Sequence, residues 1–302
     1  FQGIVGLNDY VNIPLKKGRN ELMIALAETF GGWGFIFRDA KALYMDSHMK
    51  QSWEIRNRFR VPESVQYDTK RDVLYVSNYF NDGKEFISKI SPKGEVLSME
   101  WATGIYQPAG MTMSHDKLYV VGRMALVEID PESGKVTNRY RFPEPGLPND
   151  VAADDAGNLY VTDSRKSLIY KLENGSMTEW LKSPELTQAN GLIFSEGRLI
   201  AGTSGDGCIK TIDPASKAIS TMVCLGEGAI MDGIAYEGNG NYLISDFNGK
   251  IYRVNRSGEK KLVLNSTAPG MFCAAFEYIP GKHLLVVPTF TDNRVVAFEL
   301  AP

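Results

Sequence analysis

The stretch Pro148-Asn149-Asp150-Val151-Ala152-Ala153-Asp154-Asp155-Ala156-Gly157-Asn158-Leu159-Tyr160-Val161-Thr162 decides the fold. A short apolar run meets an Asp/Gly turn, and a β-branched and aromatic run follows. That is the pattern of an antiparallel hairpin. The second run recurs as Leu74-Tyr75-Val76-Ser77, Leu118-Tyr119-Val120-Val121, Leu199-Ile200-Ala201-Gly202, Tyr242-Leu243-Ile244-Ser245 and Leu284-Leu285-Val286-Val287. With the residue just before each first strand as the mark, the register is Glu63, Ala109, Asn149, Asn190, Asp232 and about Cys273. The spacings are 46, 40, 41, 42 and 41 residues. A third strand often ends in Ile-Asp, as in Ile129-Asp130 and Ile212-Asp213, and a Pro/Gly/Ser turn leads to a fourth.

Four short strands in about 41 residues match one blade of a β-propeller, and six marks predict six blades. The expected fold class is therefore all-β, with helix scarce because no 3.6-residue periodicity is sustained. Only 29 residues follow Cys273, too few for four strands. Residues 53–59 (Trp-Glu-Ile-Arg-Asn-Arg-Phe) resemble the fourth-strand segment 138–142. They are expected to pair with blade six, closing the ring and removing an exposed sheet edge.

Working outward, residues 1–46 do not fit the repeat and read as a small N-terminal β segment; residues 47–302 form the propeller. Residues 1–3 read equally as a tag remnant or as native sequence and are left out of the fold reading. The Lys16-Lys17-Gly18-Arg19-Asn20 and Gly31-Gly32-Trp33-Gly34-Phe35 patterns resemble the last strands of a galactose-binding-like jelly roll. That implies an upstream module of the same polypeptide. No signal peptide is read at residue 1, and the compartment stays open between cytoplasm, periplasm and secretion.

Composition narrows the function classes. The 302 residues are 43% hydrophobic and 23% charged, with a net charge of −3. This gives no nucleic-acid footprint and no basic membrane patch. No apolar run has the length of a membrane span. The expected partner is a small-molecule substrate. The three cysteines form neither a zinc-spaced cluster nor a disulfide framework. Cys208 and Cys224 flank a hairpin at residues 213–216, which could make them cross-strand neighbours; the reading taken is free buried thiols.

The chemical signal lies at the marks. Glu63, Asn149, Asn190 and Asp232 carry oxygen acceptors at one repeat position, where propeller blades converge on the central channel. Two carboxylates and two amide oxygens suit one hard divalent cation. Ca²⁺ fits best, ahead of Mg²⁺, Mn²⁺ or Zn²⁺. The competing reading makes Asn-Gly and Asp-Gly ordinary turn dipeptides. Ala109 and Cys273 leave two sides of the ring without oxygen ligands.

The stretches Pro62-Glu63-Ser64-Val65, Pro148-Asn149-Asp150-Val151, Asn190-Gly191-Leu192 and Asp232-Gly233-Ile234 resemble the senescence-marker-protein/gluconolactonase/luciferin-regenerating-enzyme (regucalcin-like) family over residues 53–302. The resemblance implies a six-bladed propeller with one axial divalent metal. It puts Glu63, Asn190 and Asp232 on metal ligands and Asn149 on a shared metal and substrate contact. Two departures stand out. Ser64-Val65 replaces Gly-Pro, and Leu147 replaces the Arg of sugar-lactonase members. The second points away from a sugar-acid lactone and toward a more apolar lactone or ester.

The expected function is metal-assisted hydrolysis of small lactones or esters, with Asp232 as general base or nucleophile and Asn149 beside it. The alternative is a non-catalytic, metal-stabilised binding or scaffold propeller. A propeller lyase is disfavoured, because no histidine is placed at the channel mouth. Arg123 is the candidate for a substrate anion; Met111, Phe272 and Phe290 are candidates for an apolar lining.

Overall fold

The computed structural model describes residues 43–301 except 81, 145, 268 and 269. The readings made for residues 1–42 lie outside the described residues. Six antiparallel sheets form a six-bladed propeller. Among the described residues there is no α-helix, only short 3₁₀ turns such as Pro184–Leu186. No helix among them is long and apolar enough to cross a membrane.

Each blade runs from the axis outward. Blade three is built from Pro148–Ala153, Leu159–Asp163, Leu168–Glu173 and Ser176–Lys182. Successive first strands touch one another around the ring, so they are innermost. Burial follows from this layering. The second strand of blade one, Val73–Asn78, is buried at every residue because neighbouring blades cover both faces. Such strands read as continuous apolar runs rather than alternating ones. The outer strand Val136–Arg141 is mostly exposed and correspondingly polar. Six apolar cores fill the six gaps between blades; one joins Ile55, Val295 and Ala297 of blade six to Val65, Leu74 and Val76 of blade one.

Ring closure occurs as expected, with shifted bounds. Met49–Arg56 pairs antiparallel with Arg294–Leu300 in register Trp53↔Ala297, Ile55↔Val295 and Arg56↔Arg294. Residues 57–59 lie past the strand, and Phe59 instead fills the core between blades six and one. The short strand Tyr44–Met45 adds to the outer edge of blade five. The Ile-Asp signature has a local cause. Asp213 Oδ1 accepts from the Ala215 and Ser216 N–H groups, and Asp130 Oδ1 from Ser133 N–H, folding the turn to strand four.

One sequence expectation is corrected. Cys208 and Cys224 are directly opposed on neighbouring strands and joined by a disulfide. Register places their Cα atoms 4.0 Å apart, which apolar burial alone did not reveal. Cys273 is a free, buried thiol, and burial pushes it up to about 12, so it stays protonated.

Candidate active site at the channel mouth

Four first strands share one irregularity. Pairing with the second strand skips between Pro62 and Val65, Pro148 and Val151, Ala189 and Leu192, and Met231 and Ile234. Each skip contains the mark and the residue after it. A bulge of this kind releases a residue from the ladder and re-aims its side chain. The four acceptor positions are therefore set by one repeated backbone device.

The glycines after the marks are not turn formers. Gly191 and Gly233 lie inside the strands Ala189–Ser195 and Met231–Gly238, and neither has a left-handed φ. Close approach of the next blade demands them. A Cβ at Gly191 would sit 1.6 Å from the Asp232 carbonyl oxygen, and one at Gly233 would sit 2.5 Å from the Phe276 ring. The turn-dipeptide reading of Asn190-Gly191 and Asp232-Gly233 is thus replaced by a packing one.

Glu63 and Asp232 are 7% and 5% exposed. Glu63 Oε2, Asn190 Oδ1 and Asp232 Oδ1 are buried and have no hydrogen-bond partner. Burial first, then the charges of Asp232 and Asp150, pushes Glu63 well above the usual carboxylate range. Burial and Asp150 do the same to Asp232. These groups are therefore close enough to repel. The backbone around them is fixed: Thr162 Oγ1 donates to Asn190 O at 2.6 Å, and Ser245 Oγ accepts from Gly233 N–H at 2.7 Å.

Asp150 was not among the sequence candidates. It occupies the position where the other blades have Ser, Gly or Ala, and its side chain crosses to blade four. Oδ2 accepts from Leu192 N–H at 2.7 Å and Oδ1 from Val151 N–H at 2.8 Å. Burial pushes it up to about 7 despite these bonds. The signal was its place one residue after the mark, in a register otherwise filled by small residues.

Asn149 and Asn190 open onto a cavity of about 350 Å³ with Ser164, Arg165, Gln188 and Ser204, between blades three and four. Leu147 and Ile230 complete its lining. Arg165, missed in the sequence, is the arginine of this cavity. Arg123 stands elsewhere, half-buried on blade two, with its backbone N–H on Tyr106 O. Its charge offsets part of the rise that burial and Glu63 impose on Tyr79. Met111 is a core residue, 5% exposed and packed with Ile87 and Val120 between blades one and two; the expected substrate role is corrected on that ground. Ala109 is likewise buried in the core between blades two and three.

Phe272 does reach the mouth. Its ring stacks on Phe247 at 4.7 Å, Phe247 meets Phe290 edge-on at 5.3 Å, and Phe290 lies 6.1 Å from Tyr79. The second-strand ends Asn78, Asp163 and Asp246 face backbone instead. Their Oδ1 atoms accept from the N–H groups of Arg60, Leu147 and Ile230, holding the loops that lead into the first strands.

All three histidines lie away from this mouth. His115 sits in the turn after Met111–Ser114, while His48 and His283 share a separate cavity with Lys50 and Glu299. Strand direction puts these turns on the opposite face. Among the described residues no group of three or more His, Cys, Asp and Glu forms a metal site. The axial acceptors are instead two carboxylates and two amides.

No protein-family model and no curated sequence matches the chain. Solved structures do. A gluconolactonase from Xanthomonas campestris superposes with a TM-score of 0.65 at 17% identity, covering 81% of this chain and 88% of that one. A virginiamycin B lyase from Staphylococcus aureus gives 0.63 at 13% identity over 83% and 99%. A luciferin-regenerating enzyme gives 0.61 at 14% over 86% and 95%. Likeness at this identity establishes the architecture, which these enzymes share while running different reactions.

Proposed function

We propose that the protein is a divalent-metal-dependent hydrolase of small lactones or esters. The observation that carries this reading is the trio of buried, unpartnered oxygens, Glu63 Oε2, Asn190 Oδ1 and Asp232 Oδ1. Leaving one such group unsatisfied costs about 1–3 kcal/mol, more when it is charged. Three together, two of them carboxyls that repel when ionised, would all be satisfied by one shared cation. The donor set is all oxygen, which suits Ca²⁺ and less closely Mg²⁺, Mn²⁺ or Zn²⁺. Glu63, Asn190 and Asp232 would hold the ion, with Asn149 at its edge.

A bound divalent cation would polarise a carbonyl and stabilise the oxyanion that develops on it. The protein supplies the rest. Asn149 and Asn190 border both the cavity and the acceptor cluster, so their side-chain amides can orient a carbonyl-bearing group. Asp232, buried beside these amides, is our candidate to take a proton from an attacking water, or to act as nucleophile on the carbonyl carbon with the alcohol oxygen leaving and water then hydrolysing the acyl-enzyme. The axial location keeps bulk water from this carboxylate.

A lyase reading is weaker. One solved relative of that type is inactive once a histidine is replaced by alanine. Here every histidine lies off the candidate mouth.

Calorimetric titration with Ca²⁺, followed by a screen of lactones and aryl esters with and without the ion, tests the proposal. One ion bound per chain and ion-dependent turnover are expected. Stoichiometric Ca²⁺ binding by Glu63→Ala/Asp232→Ala would overturn the ligand assignment. Binding without turnover across the panel would leave a metal-stabilised binding propeller.

A further inference from the structure

We propose that the substrate carries an aromatic or similarly flat apolar group, which rests on a wall of Tyr79, Phe247, Phe272 and Phe290 while its carbonyl end lies by Asn149 and Asn190. The carbonyl half of this statement rests on the hydrolase reading above. The aromatic half stands on separate observations.

The four rings form one continuous contact chain, yet each remains half-buried. Phe247, Phe272 and Phe290 belong to none of the six inter-blade cores. Their packing therefore does not close a gap between blades. It presents ring surface at the end of the channel that holds the unpartnered oxygens.

Phe290 is held there against backbone preference. Its φ is +53°, a region that bulky side chains rarely adopt. The surrounding turn enforces it. Thr289 and Arg294 exchange three hydrogen bonds of 2.9–3.0 Å, Asp292 pairs with Arg294, and Asn293 Oδ1 accepts from Val61 N–H at 2.8 Å. Local strain of this kind costs about 1–3 kcal/mol and collects at functional sites. The latched turn pre-orients the ring, which lowers the entropy cost of binding against it.

The rest of the surface does not share this character. Six large hydrophobic residues are exposed among the described ones, and Phe80, Tyr106, Met124 and Ile230 all sit in loops of the mouth face. The cavity on the opposite face has no aromatic ring in its lining apart from His48 and His283, and it carries the charged groups Lys50, Lys282 and Glu299. Apolar exposure is thus concentrated where a ligand would enter. An offset stack or edge contact with these rings suits a phenyl or naphthyl group.

Two measurements test this on the full chain with Ca²⁺. The first is affinity for N-naphthylacetamide, which copies naphthyl acetate but resists hydrolysis. The second is the ratio of kcat/KM for naphthyl acetate over ethyl acetate. Wild type should bind the amide, and Phe247→Leu/Phe290→Leu should weaken binding about tenfold and lower the ratio by a similar factor. Leucine keeps the site apolar, and a melting curve controls for folding; the single Phe272→Leu serves if the double variant unfolds. Absence of amide binding, or binding unmoved by these changes, overturns the inference. Wall-dependent amide binding with no ester or lactone turned over leaves it standing and removes the hydrolase reading. Aliphatic turnover without amide binding does the reverse.

Discussion

The two sides of the channel mouth use one backbone position for opposite purposes. The residue just past the second strand donates its N–H to the carbonyl of the loop entering the first strand. This occurs at Tyr79 to Val61, Arg123 to Tyr106, Ser164 to Leu147, Ser204 to Gln188 and Phe247 to Ile230. The backbone role is constant and the side chain is free to vary. On blades three and four it is serine, and each hydroxyl reaches a neighbouring blade: Ser164 Oγ to Ala189 O at 2.6 Å, Ser204 Oγ to Met231 O at 3.1 Å. On blades one and five it is Tyr or Phe, part of the aromatic wall. The scaffold fixes the position and the side chains divide the mouth into a polar arc and an aromatic arc.

The axial acceptors serve both arcs, so removing one should have the largest effect. Asp232→Ala should lower kcat/KM for any substrate of this site by roughly 10³-fold, with loss of Ca²⁺ binding. Asn149→Ala, on the polar arc and only at the edge of the ion, should cost about 10²-fold in kcat with a smaller loss of Ca²⁺ affinity than Asp232→Ala. Calorimetry and initial rates on the same preparations separate the two. Equal loss of ion binding in both variants would erase the distinction between axis and arc.

The arginines sharpen the comparison further. Arg165 lines the polar cavity, whereas Arg123 stands by Tyr79 at the edge of the aromatic arc. For a lactone bearing a carboxylate, Arg165→Met should raise KM about tenfold and Arg123→Met less than about threefold. The reverse order would move the anion site to blade two.

Packing gives the next effect, and it differs between arcs. Gly191→Ala sets a methyl against a backbone oxygen at 1.6 Å, which neither blade can yield without moving. Gly233→Ala meets the Phe276 ring first, at 2.5 Å, where rotation gives some relief, and the Phe276 backbone nitrogen at 2.8 Å, where it gives none. Losses of about 3 and about 2 kcal/mol are expected in denaturant unfolding. Equal or inverted values would show that the seam between blades four and five is no tighter than its neighbour.

The contrast also explains what the sequence made legible. The marks could be found because blade repetition leaves each first strand in one register and the acceptors recur there. Ring closure was legible because the last blade lacked a strand and residues 53–59 matched one. Asp150 escaped because it sits one residue off the mark, where only contact with blade four gives it meaning. The aromatic wall was legible only in part: Phe272 and Phe290 were read as an apolar lining, but Tyr79 and Phe247 were not joined to them. Tyr79 and Phe247 occupy one register position, but Phe272 and Phe290 come from other loops, and only the assembled ring brings them together. Met111 was misplaced because an apolar residue near a mark reads alike whether it faces the channel or the adjoining blade.

The smallest expected effect concerns the seam that carries the aromatic arc. Glu277, at the start of the blade-six inner strand, accepts from Tyr67 N–H on blade one at 2.8 Å and from its own neighbour Tyr278 N–H at 3.0 Å. Burial nevertheless pushes its carboxyl up to about 7, against 4.5 ordinarily. The folded state thus holds this proton to higher pH than the unfolded chain does. Its contribution to stability is fully present below about 4.5 and is lost as pH rises through about 7. Denaturation midpoints measured across that window should therefore include a downward slope from this group. Glu277→Gln, which cannot ionise, should flatten it. The polar-arc counterpart Asn149→Ala removes no titrating group and should leave the slope in place. An unchanged slope in Glu277→Gln would mean that the two backbone donors, rather than burial, set the ionisation of Glu277 at this seam.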